Sequence, residues 1–125
     1  MSIFKWLSYG VFVVLLCNAC GKSLPSLNNI DQQAWKDDKL GCSGKRFAMM
    51  SDMENESEKL LALSEQEIIG ILGKPDENEL YKRNQKFYYY FVQPSKNCSD
   101  TVTVVPKKLV IRFNAVGLAK EIALQ

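Results

Sequence analysis

Apolar positions in this chain change period near residue 73. Before it they recur every three or four residues; beyond it they alternate. The first regime predicts helices over residues 30–40, from about Lys45 to Leu61, and over 65–72. Asn29 is the expected cap of the first helix, with Asp31 in its first turn and Ile30, Ala34 and Trp35 as its apolar stripe. Ser43 is the expected cap of the second, whose inward face would be Phe47, Met50, Met53, Leu60 and Leu61. Ser64 and Glu67 form a capping box for the third, which Gly73 and Pro75 end.

The second regime predicts an antiparallel meander. Residues 80–83 and 86–92 read as strands around Asn84-Gln85. Residues 101–105 read as a short edge strand. Residues 108–114 and 118–124 form a hairpin through Asn114-Ala115-Val116-Gly117. Leu109, Ile111 and Phe113 face the core, and Val110 and Arg112 face away. Strict alternation in the last strand would bury Lys120. A bulge near Ala119 is therefore expected, with Ala119 and Ile122 inward. The expected fold is α+β, with two or three helices on one face of a three- to four-stranded antiparallel meander. Strand 86–92 is apolar or aromatic on both faces. We place Phe87, Tyr89 and Phe91 against the helices. Tyr88 and Tyr90, with Val110 and Arg112, then become the candidate partner-binding residues, because Tyr and Arg concentrate binding energy at interfaces.

A length of 125 residues leaves room for one domain. The 16 basic and 14 acidic residues nearly balance, and the basic ones are scattered in pairs such as Lys45-Arg46 and Lys82-Arg83. They read as solvated surface charge, which argues against a nucleic-acid partner. No histidine is present, so the usual catalytic triads are excluded. Glu65/Glu67 and Glu77/Glu79 are paired carboxylates in sequence only. No glycine-rich phosphate loop occurs, and the acidic run 52–58 lacks calcium-loop spacing. The expectation is a non-enzyme without cofactor or metal.

Residues 1–19 read as a leader. Lys5 precedes an apolar run, Trp6 to Leu16, too short to span a bilayer comfortably. Leu16-Cys17-Asn18-Ala19-Cys20-Gly21 resembles the bacterial lipobox, with Ala19 at the small position and Cys20 as the acylated residue; Cys17 departs from the usual leucine. The resemblance implies a lipid-anchored protein. Residues 20–29 would then be a solvated tether and 30–125 the domain. No acidic cluster follows Cys20, which fits a periplasm-facing lipoprotein of the outer membrane. With Cys17 removed and Cys20 acylated, Cys42 and Cys98 remain as a candidate disulfide in an exported protein. Two buried free thiols or a metal site are the alternatives. Two isolated cysteines without histidine do not make a zinc set.

The capped helix ending Leu72-Gly73-Lys74-Pro75, the Tyr-rich strand 86–92 and the hairpin with Phe113-Asn114 and Gly117 resemble the SmpA/OmlA, or BamE-like, family. These are small outer-membrane lipoproteins tied to β-barrel assembly, with the fold of the β-lactamase inhibitory proteins. The resemblance covers residues 63–124 and the lipobox. Residues 30–58 and the Cys42/Cys98 pair lie outside the family pattern and mark a divergent branch. The resemblance implies a membrane-anchored interaction module in envelope assembly, with an envelope protein as partner. An inhibitor or ligand-binding lipoprotein of the same fold is the alternative it leaves open.

Overall fold

The computed structural model describes residues 23–125. The leader and Cys20 lie outside the described residues. Helices come first: α1 (Gln32–Asp37), α2 (Lys45–Ala48), α3 (Met50–Glu56) and α4 (Glu65–Leu72). Short 3-10 turns, Lys39–Gly41 and Ser57–Leu60, follow α1 and α3. Four strands come next: β1 (Glu77–Tyr81), β2 (Gln85–Phe91), β3 (Lys108–Phe113) and β4 (Ala119–Leu124). They pair antiparallel in chain order, so the sheet is a four-stranded meander and the fold is α+β.

The capping box is formed: Ser64 Oγ accepts from the Glu67 N–H, and Glu67 Oε1 accepts from the Ser64 N–H. At the other end Gly73 has φ 79° and ψ −179°. This region is open to glycine almost alone, so it stops the helix and turns the chain toward the sheet. The hairpin between β3 and β4 is set by Asn114, whose Oδ1 accepts from the N–H groups of Val116 and Leu118. Gly117 supplies the positive φ of 81°. The expected bulge is present. Arg112 pairs with Glu121 and Phe113 with Ala119, so Lys120 is the extra residue. Ala119 is buried, and Ile122 packs at the core's edge.

Several boundaries differ from the expectations. α1 is capped by Asp31, whose carboxylate accepts from the Ala34 N–H, and not by Asn29. The tether was expected to be solvated through residue 29, yet Leu27 is buried in the core. A turn from the Ile30 N–H to the Leu27 carbonyl brings both apolar side chains inward. Ser43 caps nothing. Gly44 takes the N-cap position of α2, and the Ser43 hydroxyl donates to Asp38. The second helix breaks at Met49, which shifts its inward face: Phe47 and Leu61 are exposed, while Met53 and Leu60 are fully buried. The β1–β2 turn is Lys82–Asn84, with Arg83 and Asn84 both at φ 59°. It lies earlier than expected because β1 begins at Glu77 as an edge strand with all five residues exposed, so no apolar alternation marks it. Residues 101–105 form no strand. They belong to the loop between β2 and β3, and Val104 and Val105 stand exposed on it.

Cys42 and Cys98 are disulfide-bonded, with Cα atoms 5.6 Å apart. The bridge ties the corner after α1 to the β2–β3 loop, 56 positions along the chain.

Candidate functional site

Sheet register decides which aromatics are available to a partner. Tyr88 pairs with Ile111 and Tyr90 with Leu109, so these tyrosines share the helix-covered face. Tyr90 is fully buried and Tyr88 nearly so. The expectation that Tyr88 and Tyr90 face outward is therefore overturned. Both faces of β2 are aromatic, so alternation could not choose between them. The hydroxyl groups make the choice: each tyrosine on the helix side has an acceptor waiting. Tyr90 donates to the Gly73 carbonyl at 2.8 Å, and Tyr88 donates to Glu65 Oε1 at 2.8 Å. Burial and then the Glu65 carboxylate push the Tyr88 phenol up to about 12. Tyr90 is also raised, chiefly by burial.

The opposite face carries what the sequence reading placed in the core. Phe87 pairs with Glu79 and Arg112, and Tyr89 with Glu77 and Val110. The outward set is thus Glu77, Glu79 and Tyr81 on β1, Phe87, Tyr89 and Phe91 on β2, Lys108, Val110 and Arg112 on β3, and Glu121 and Ala123 on β4. Val110 and Arg112 do lie on it, as expected. Val110 is nonetheless 7% exposed, screened by its longer neighbours, and Phe91 is buried at the loop end. Neither offers much area.

The accessible part is an aromatic stripe. Tyr81 and Phe87 meet edge to face at 5.8 Å between ring centroids, and Phe87 and Tyr89 stack at 6.2 Å. Such pairs hold rings in fixed relation without closing them off. Tyr81 is half exposed. The Tyr89 hydroxyl donates to Glu79 Oε2, and the Lys108 ammonium sits 4.3 Å from the Tyr89 ring centre. Burial, then Glu79 and Glu77, push the Tyr89 phenol up to about 12. Arg112 Nε donates to Glu121 Oε2 at 3.1 Å, an exposed pair that contributes little stability and is free to re-partner.

A second polar cluster lies in the core around Arg46, which the sequence predicts as solvated surface charge. Arg46 is 1% exposed. Its Nε donates to the Trp35 carbonyl, and its Nη1 donates to Asp76 Oδ2 and the Phe91 carbonyl. Its guanidinium lies over the rings of Trp35 and Tyr90. Asp76 also accepts from the backbone of Leu40 and Phe91, and Asp38 from Ser43 and the Arg46 N–H. Every partner of Arg46, Asp76 and Asp38 named here is a group of the fold itself, so the cluster's work is structural; the buried Trp35 indole N–H beside it has no acceptor among the described residues. The one legible signal was Asp76, an acidic residue directly before the aromatic strand's partner. Among the described residues no three His, Cys, Asp or Glu side chains converge to hold a metal ion, and no helix is long and apolar enough to cross a membrane.

The class these features define is an α+β domain with helices over one sheet face, short of Leu80 on the edge strand β1, and an aromatic stripe flanked by charged residues on the other. Comparison of the chain with protein-family models, curated proteins and solved structures found no match.

Proposed function

We propose that this chain is a lipid-anchored, non-catalytic interaction module of the cell envelope, and that a protein partner docks on the outer face of its sheet. The observation that carries the reading is the Tyr81–Phe87–Tyr89 stripe, rigid, aromatic and bare of any helix. Aromatic residues held at low entropic cost are what interfaces concentrate. The lipobox at Cys20 supports the anchor, and the resemblance of residues 63–124 to outer-membrane assembly lipoproteins supports a scaffold role facing the periplasm. The Cys42–Cys98 bridge suits an oxidising compartment.

Two measurements test the reading. Cys20→Ala should abolish lipid labelling and release the chain from membranes; retention in the membrane with loss only in Cys17→Ala would move the acceptor. A photo-crosslinking residue at Gln85, on the outer face opposite Tyr81, should capture a protein in the intact envelope. The same probe at Gln66, exposed on α4, should not. Equal capture at both positions would remove the outer face as the docking surface.

A further inference from the structure

We infer that a second copy of this chain covers the outer sheet face, the two sheets packing face to face about a two-fold axis that runs along β2. The inference rests on the docking reading above and names its occupant. Four strands carry that face, and their charges run acid, aromatic, base, acid, with Glu121 on β4 ion-paired to Arg112 in the same copy. Glu77 and Glu79 lie on β1, Phe87 and Tyr89 on β2, and Lys108 and Arg112 on β3. Over β1 to β3 the charges have opposite sign on the two sides of the aromatic row, and Glu121 on β4 lies outside that overlap. Laying a second sheet on the first by rotation about β2 exchanges left and right, so each copy's β1 falls on the other's β3, with Glu79 and Arg112 as the acid–base pair at one height. Aromatics then meet aromatics between them.

The register makes the pairing specific. Rotation about a strand axis leaves height along the strand unchanged. Glu79 and Arg112 both pair with Phe87 and therefore stand at one height. Glu79 of each copy consequently meets Arg112 of the other. Glu77 stands level with Val110, two residues along β3 from Lys108. The alternative two-fold, across the strands, would lay acid on acid and base on base, and opposed like charges are destabilising. Charge thus selects one of the two ways a sheet face can meet itself, and the interface is isologous. Sheets packed this way lie about 10 Å apart with strands within roughly 30° of alignment.

Size sets the strength. Strands of about six residues at roughly 3.4 Å each, spaced about 4.8 Å, give a flat footprint near 300 Å² per copy. A standard interface buries about 800 Å² per partner, so this dimer belongs to the weak, transient class. Confinement by two lipid anchors in one bilayer raises the effective concentration enough to populate it. The geometry permits this, because the same rotation leaves the two copies of Ser23, the first described residue, at one height along an axis set normal to the bilayer.

The test uses the full chain in membranes. Gln85 lies on β2, beside the axis and facing its own copy. Gln85→Cys treated with a short bis-maleimide should give a crosslinked dimer, and Gln66→Cys should not. Glu79→Lys, or Arg112→Glu, should each cut the dimer yield at least fivefold. The two together should restore it, which also shows that the single variants had not merely misfolded. No dimer at Gln85, equal dimer at Gln66, or a yield indifferent to charge reversal each overturns the inference. If the photo-crosslink at Gln85 then captures a different envelope protein, the docking reading survives without the second copy. If it captures nothing, both fall.

Discussion

Arg46 carries its charge into the core, where water cannot compensate it. Its partners are Asp76 at 2.6 Å and the carbonyls of Trp35 and Phe91. Removing one member of a buried, hydrogen-bonded ion pair strands the other, at a cost of about 3–5 kcal/mol. Arg46→Ala should therefore lower stability by that order, as a fall in the urea midpoint of unfolding. A surface lysine pair such as Lys107-Lys108 gives no precedent for such an effect. Nearby, burial acts to raise the Asp38 carboxyl, but the N–H groups of Arg46 and Ser43, the Ser43 hydroxyl and the Arg46 charge outweigh it and hold it below its ordinary value. A carboxyl lowered in the folded state contributes fully above the unfolded value of 3.8, and that contribution is lost as pH falls further. The tyrosines act with the opposite sign. Tyr88 and Tyr89 hold their protons up to about 12 in the fold, against 10.0 in the unfolded chain. Their contribution is full below pH 10.0 and is lost as pH rises toward about 12. The urea midpoint should decline at both ends of the pH scale. Tyr88→Phe should flatten part of the alkaline decline, and an alkaline limb unchanged by Tyr88→Phe would refute Tyr88's share.

Elements divide by how local their causes are. The capping box of α4 rests on residues three apart, and Ser64→Ala should cost about 1 kcal/mol in a thermal or denaturant melt. Gly41 depends instead on a remote strand. Its φ is +65°, and an added Cβ would meet the Phe91 carbonyl oxygen at 2.8 Å. Gly41→Ala should therefore destabilise more than Ser64→Ala; the reverse order would mean that the corner yields easily. The same division explains what could be read beforehand. α4, the Asn114–Gly117 turn and the bulge at β4 follow from neighbouring residues, and all were legible. The inward face of α2 and α3 was not, because a break at Met49 resets helical phase and the spacing of Phe47 loses its meaning. Nor was the orientation of β2, since Tyr88 and Phe87 are equally apolar. The candidate site was therefore half legible. Arg112 and Val110 were placed on the correct face by Leu109, Ile111 and Phe113, which alternate against them. Tyr88 and Tyr90 were not, because what holds them inward, Glu65 and the Gly73 carbonyl, lies on another element.

At the scale of the molecule, the described residues form two layers with one seam of core between them, and the disulfide closes it at one end. A bridge between positions 56 apart restricts the unfolded chain by about 4 kcal/mol in the chain-entropy account. Reduction should then lower the denaturant midpoint without changing which sheet face is covered. That constancy matters, because the asymmetry of the faces is the property on which docking depends. It has a direct test in two residues of one strand. Tyr90 is fully buried, lies against Trp35 and Arg46, and donates its hydroxyl to Gly73. Tyr90→Ala should leave a cavity and an unmet carbonyl, and cost about 3–5 kcal/mol. A small domain has a total stability on the order of 5–15 kcal/mol, so this is a large fraction. Phe87 is separated from Tyr90 by only two residues but stands on the other face, half-exposed between Tyr81 and Tyr89. Phe87→Ala should cost below about 2 kcal/mol, as expected where little burial is lost. Partner capture at Gln85 should fall all the same, because the stripe loses its middle ring. Denaturant melts of the two variants, read beside capture yields, separate folding from docking. If Phe87→Ala melts as low as Tyr90→Ala, the outer face is itself packed core, and the binding surface must lie on another part of the molecule.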